Sequence, residues 1–228
     1  PPAERSRWPL QYLLKWIKSY RRYGAAITGV KRPVPDRNAC TYKKRGQSRV
    51  MRRGLFPGRF QPPHWGHVYA VKEILKEVDE LVIAVGSAQF NYLLKDPFTA
   101  GERIWMLREG LREGGVDLSR VLIIPIPNVE NNLEWLGRVK SYAPPFDVVY
   151  TGNPFVALLF REAGYEVRQQ PMFERERYIS TRIRELILKG DPSWEELVPR
   201  SVAEIVKKLR GPERLRIAAL GEAEPHKW

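Results

Sequence analysis

The stretch RGLFPGRFQPPHWGHVYAVKEILKEVDELVIAVG, Arg53 to Gly86, decides the fold. It opens on RGLFP, a short apolar run of strand character. Val68, Val71, Leu75 and Val78 then recur at helical spacing, so Val68–Glu77 reads as a helix. ELVIAVG, Glu80–Gly86, is a continuous apolar run, the pattern of a strand buried on both faces. Strand, helix and buried strand in that order form a parallel pair with a helical crossover. The alternation continues down the chain. The helix Ala100–Glu113 starts after Thr99, with Glu102 three residues on in the spacing of a capping box. RVLIIPI (Arg120–Ile126) is a third strand, Asn132–Lys140 a helix and FDVVYTG (Phe146–Gly152) a fourth strand. Pro154–Ala163 is a helix with proline in its first turn, and YEVRQQ (Tyr165–Gln170) a fifth strand. Ser180–Lys189 and Ser201–Leu209 read as helices. The expected class is α/β: a Rossmann-like parallel sheet with helices on both faces and a small helical C-terminal part. Residues 51–211 carry this domain, and 212–228 read as a C-terminal tail. Such sheets bind ligands beyond the carboxyl ends of their strands, where the strand order reverses.

The net charge of +13 suggests nucleic acid until it is located. Of 39 Lys/Arg and 26 Asp/Glu, residues 1–50 hold 13 and 2. The remaining 178 residues are therefore nearly neutral, and a nucleic-acid role for the body of the chain is not expected. Within the basic segment, Trp8–Tyr23 has the pattern of a basic amphipathic helix, and Lys31–Arg49 has no clear period. Three readings stay open for it: a targeting or membrane-surface helix, an RNA-binding arm, or an upstream stretch ahead of a natural start at Met51. The last is favoured, because every motif of the body lies after Met51. On that reading 1–50 is a mobile or non-native extension. No apolar run approaches the length of a membrane span. Cys40 is the single cysteine, which rules out an internal disulfide and fits a cytoplasmic protein.

GRFQPPHWGH (Gly58–His67) holds two of the three histidines and falls at the carboxyl end of the first strand. Gly58 allows a tight turn, and Pro62 and Pro63 stiffen the connection. His64 and His67 stand three apart at a helix entrance, where free N–H groups and the helix dipole favour an anion. One helical turn sets the two imidazoles side by side. With Arg59 they form a site for polyphosphate. The bland reading is a pair of satisfied surface histidines. A metal pair would lack a third ligand nearby, so no metal-ligating residue is assigned. The stretch matches neither the glycine-rich dinucleotide fingerprint nor the Gly-Lys-Ser/Thr phosphate loop.

Gly58-Arg59-Phe60-Gln61-Pro62 with His64-Trp65-Gly66-His67 resembles the first signature of the HxGH nucleotidyltransferase superfamily. Within it the chain is similar to the archaeal-type nicotinamide mononucleotide (NMN) adenylyltransferases. GSAQ (Gly86–Gln89), DPFTAGER (Asp96–Arg103), NVENNLEW (Asn128–Trp135), TGNP (Thr151–Pro154) and RYISTRIR (Arg177–Arg184) carry the likeness across Met51–Gly211. The resemblance implies transfer of AMP from ATP to NMN, giving NAD and pyrophosphate. It implies catalytic roles for His64, His67, Arg103 and Arg184. ATP would be held by Gly58, Arg59, Phe60, Gln61, His64, His67, Gly152, Asn153, Ser180, Thr181 and Arg184. NMN would be held by Ser87, Gln89, Asn132 and Trp135. It further implies Mg2+, carried mainly on ATP phosphates and water, and a homo-oligomer, often a hexamer. The alternatives are another HxGH enzyme acting on phosphopantetheine, flavin mononucleotide (FMN) or a polyol phosphate, and a basic-armed RNA-binding protein on an inactive nucleotide fold. Trp135 alone would more often be core, and Ser180 alone a plain helix cap.

Overall fold

The computed structural model describes residues 41–44 and 47–223, with side chains over 51–221. Its elements are β1 (Thr41–Lys44), β2 (Gln47–Val50), β3 (Arg53–Gly58), α1 (Trp65–Glu77), β4 (Glu80–Val85), α2 (Ala100–Glu113) and β5 (Val121–Pro125). They continue with α3 (Asn132–Tyr142), β6 (Val148–Thr151), α4 (Pro154–Glu162), β7 (Glu166–Gln169), α5 (Ser180–Lys189), α6 (Arg200–Lys208) and α7 (Gly211–Ala223).

Five strands form one sheet in the order β5-β4-β3-β6-β7, every pair parallel. This is the expected Rossmann-like α/β fold. Side chains alternate between two cores, as the strand period of two requires. Phe56, Leu81, Ile83, Val85, Val148 and Tyr150 pack with the apolar stripe of α1 and with Leu107 and Leu111 of α2. Leu55, Val82, Ala84 and Val149 face the other way, onto Val139 of α3 and Phe160 of α4. The chain runs outward from β3 through β4 to β5, then returns to place β6 on the other side of β3. The switch point therefore lies between β3 and β6. A third core joins Phe98 and Met106 to α5, α6 and Leu215 of α7, the expected helical C-terminal part.

Two expectations are corrected. The period-free stretch Lys31–Arg49 contains β1 and most of β2, an antiparallel ladder pairing Thr41 with Val50 and Lys44 with Gln47. Its bonds are backbone bonds, which a run of basic side chains without apolar alternation does not advertise. The presumed tail from 212 is helical to Ala223; Leu215 and Ala218 are buried, and Arg214 bonds Glu102 of α2. Pro212 is accommodated because proline in a helix's first turn lacks only an N–H that would be unpaired there. The Trp8–Tyr23 helix lies outside the described residues, as does most of 1–50.

Candidate active site

A cleft of about 590 Å³ opens at the switch point, between the carboxyl ends of β3 and β6. Of the expected residues it brings together Gly58, Arg59, His64, His67, Ser87, Asn132, Trp135, Gly152, Asn153 and Ser180.

One side is built for phosphate. The His64 and His67 rings stack with centroids 3.6 Å apart. Gly66 between them has no room for a side chain: a Cβ would lie 2.9 Å from Tyr178 Cβ and 3.1 Å from His64 Nδ1. The backbone N–H of His64 donates to Nδ1 of His67 at 3.2 Å. In a neutral ring this leaves the proton on Nε2. Both rings are neutral near pH 7. Although His67 is partly exposed to the cleft, protein packs closely round its ring, and that desolvation pulls its pKa down to about 3. Burial, and then its stacked neighbour, hold His64 well below the usual range. An unfolded imidazole titrates near 6.5. The unfolded chain therefore binds more protons from about 6.5 downward, and the rings' contribution to stability, complete above 6.5, is lost as pH falls. The melting temperature of the parent chain should consequently drop between pH 7 and 4 more steeply than that of a His64→Gln/His67→Gln double variant; parallel slopes would refute the buried neutral pair.

Arg59 reaches over the cleft with its nearest carboxylate, buried Asp96, 3.8 Å away. Asp96 Oδ1 has no hydrogen-bond partner. The N-terminus of α5 faces the same space. Its N-cap is Ile179, which makes no side-chain cap, so its first-turn N–H groups stay available to an anion. Ser180 is not the cap; its hydroxyl donates to the Pro62 carbonyl at 3.0 Å and ties α5 to the histidine loop.

The opposite side carries amides and an indole. Asn132, the first residue of α3, lines the cleft beside Trp135. Trp135 meets Phe160 edge-on at 6.0 Å, and its buried Nε1 has no acceptor. Ser87 is held by Asn128, whose Oδ1 accepts from Ser87 N at 3.3 Å and whose Nδ2 donates to Ser87 Oγ at 3.0 Å.

Other expected residues stand in the wall. Gln89 does not line the cleft; it clasps Asn128 through two bonds, 2.9 and 3.0 Å, to backbone N–H and carbonyl. Gln61 is buried, pairing with the N–H and carbonyl of Phe98 at 3.1 and 2.9 Å. Phe60 is buried with φ 55°. Arg184 donates to the Gln61 carbonyl at 2.8 Å and to Thr181 Oγ1 at 3.3 Å. Arg103, expected at phosphate, is wholly buried and bonds only backbone carbonyls. Burial lowers its pKa to about 10, still charged at pH 7. Asn128, Thr151, Gln170 and Tyr178 line the cleft without having been singled out. Asn128 opens the NVENNLEW stretch, which was the one signal available for it.

The cytidylyltransferase-like family model matches residues 55–186. A nicotinamide-nucleotide adenylyltransferase of Pyrobaculum arsenaticum is 89% identical over 178 residues, 78% of this chain and 100% of that one. The same-named protein of Caldivirga maquilingensis is 70% identical over the same shares, and that of Pyrococcus furiosus 49% identical over 74% of this chain and 90% of its own. A solved bifunctional NMN adenylyltransferase/ADP ribose pyrophosphatase from Francisella tularensis, complexed with AMP and a manganese ion, superposes with a TM-score of 0.61. It is 19% identical, over 76% of this chain and 53% of that one, and agrees in fold. With the model spanning more than half of its length and a relative matched end to end, the chain belongs to the cytidylyltransferase-like family and, within it, to the nicotinamide-nucleotide adenylyltransferases.

Proposed function

We propose that the chain transfers AMP from ATP to the 5′-phosphate of NMN, forming NAD and releasing pyrophosphate. The observation that carries this reading is one cleft with two chemistries: stacked neutral imidazoles, Arg59 and an uncapped helix end on one side, and Asn132 with Trp135 on the other. A phosphate oxygen of NMN attacks the α-phosphorus of ATP as the bond to the bridging oxygen of pyrophosphate breaks. No side-chain nucleophile is needed, so the work is positioning and stabilisation of charge. His67 Nε2–H donates to the transferring phosphoryl oxygens, and Arg59 with the α5 N-terminus neutralises the departing pyrophosphate. Arg184 reaches the triphosphate by exchanging its Gln61 carbonyl contact for phosphate. Trp135 stacks on nicotinamide while Asn132 bonds its amide.

Mg2+ brought in with the nucleotide would neutralise charge on the ATP phosphates. The donor set suits an ion brought by the nucleotide: among the described residues no three His, Cys, Asp or Glu gather to hold a metal. We place the enzyme in the cytoplasm as a homo-oligomer, which light scattering would test.

Mixing the protein with ATP, Mg2+ and a panel of acceptors should yield NAD and pyrophosphate in equal amounts from NMN. Splitting of ATP without NAD, or a preference for phosphopantetheine, FMN or a polyol phosphate, refutes the assignment.

We also propose that residues 1–50 are dispensable for catalysis, because every motif of the body lies after Met51 and, among the described residues, the cleft is lined from Pro57 onward. A chain beginning at Met51 should melt within a few degrees of the full chain and turn over at a similar rate. Precipitation or loss of activity would make the segment part of the working fold. Loss of RNA or anionic-lipid binding with activity intact would give it a role of its own.

A further inference from the structure

Arg103 is the largest fully buried side chain of the described residues, and its guanidinium sits between the two walls of the cleft. Nη1 donates to the Arg59 carbonyl at 2.7 Å, on the loop after β3, and to the Gly86 carbonyl at 2.8 Å, on the loop after β4. Nη2 donates to the Ser87 carbonyl at 3.0 Å. Nε donates to the Thr99 carbonyl at 3.3 Å, on the turn that starts its own helix. One planar fork thus joins three segments whose carbonyls would otherwise face one another. Beside it, the Gly86 N–H donates to the carbonyl of Gly58, the last residue of β3, at 2.9 Å. Both loops are bent where it holds them. Phe60, which follows Arg59, has φ 55°, and Ser87 has φ 52°, left-handed conformations that residues with a Cβ adopt at a cost. The guanidinium is the group suited to this task. It is planar, carries five donors in a fixed fork and stays charged when buried, whereas an ammonium is a point donor on a flexible stem.

These loops carry different substrates on the reading above. The β3 loop presents Arg59 to ATP, and the β4 loop presents Ser87, with Asn128 behind it, to NMN. We propose that Arg103 is a positioning residue that sets the distance between the ATP wall and the NMN wall, and so the approach of the NMN phosphate to the α-phosphorus. It touches neither substrate. Its effect is on the alignment of two bound molecules, which a displacement of about 1 Å can disrupt by roughly a hundredfold in rate. This inference rests on the adenylyl-transfer reading and adds a residue the mechanism does not otherwise use.

The test compares the full chain with Arg103→Lys and Arg103→Met. Three things are measured: NAD formation at saturating ATP and NMN, binding of each substrate alone by calorimetry, and melting temperature. Turnover should fall about tenfold in the lysine variant and about a hundredfold in the methionine variant. The Kd of ATP alone and of NMN alone should each change by less than about threefold, because each wall keeps its own contacts. A Kd for ATP that rises in step with the loss of turnover would overturn the proposal, since the guanidinium would then be reaching phosphate. Unchanged turnover in both variants would overturn it as well. If the methionine variant does not fold, the lysine variant, which keeps the buried charge, carries the same comparison. A parent chain that forms no NAD would sink the adenylyl-transfer reading instead, and the comparison would be run on the acceptor that the ATP panel reveals.

Discussion

Replacing His67 by alanine should lower turnover about 10²–10³-fold, the usual loss for a single donor aimed at developing charge. The structure makes the imidazole a neutral donor in a fixed tautomer: Nδ1 is occupied by the His64 N–H, and the ring is held against His64 at 3.6 Å and edge-on to Phe60 at 4.8 Å. The donor therefore needs no reorganisation as charge builds on the phosphoryl oxygens. The KM for ATP should move far less than kcat, because the contact strengthens in the transition state. Folding should survive, since α1 keeps its apolar stripe of Val68, Val71, Ile74 and Leu75 on the sheet. A folded His67→Ala protein with turnover within threefold of the parent would show the residue idle. One that fails to fold would show that it is structural.

Trp135→Ala should raise the KM for NMN about ten- to a hundredfold while leaving that for ATP nearly unchanged. Stacking on nicotinamide together with the buried area supplies ~1–3 kcal/mol. The prediction is sharp because the indole is shared. It packs edge-on against Phe160 in the core beneath α3 and α4, and it also lines the cleft. Its truncation will therefore cost some stability, and the decisive readout is selectivity between substrates. Trp135→Phe, which keeps an aromatic face, should recover most of the NMN affinity. Equal weakening of both substrates, with a lowered melting temperature, would mean that the indole serves the core alone.

The parallel sheet, its helices and the chemistry at the carboxyl end of β3 were legible in the sequence because each is written in a short window. A buried strand is a continuous apolar run, as in Glu80–Val85. The capping box at Thr99 and Glu102 is observed in full, with bonds of 2.9 and 3.2 Å. Three-residue spacing on a helix necessarily brings His64 and His67 together. What a window cannot show is where a long side chain ends. Arg103 and Arg59 are both arginines in phosphate-associated motifs, yet one is fully buried on carbonyls and the other extends into the cleft. The choice depends on two backbone loops, one 44 residues and the other 16–17 residues from Arg103 in sequence, that converge on one point only in the folded chain. Gln61 went the same way, drawn to the buried backbone N–H and carbonyl of Phe98, because such groups left unpaired cost more than an exposed amide gains; Gln89 instead clasps the backbone of Asn128 at the exposed rim. The helix Gly211–Ala223 was hidden for a related reason: its anchors, Leu215 in the third core and Arg214 on Glu102, are supplied by α2, α5 and α6 rather than by its own pattern. The sequence by itself determined the strands and helices of the parallel sheet and which residue types meet at the switch point. The tertiary structure decided which of those residues face the ligand and which hold the wall, because that depends on the distant backbone groups left for each side chain to satisfy.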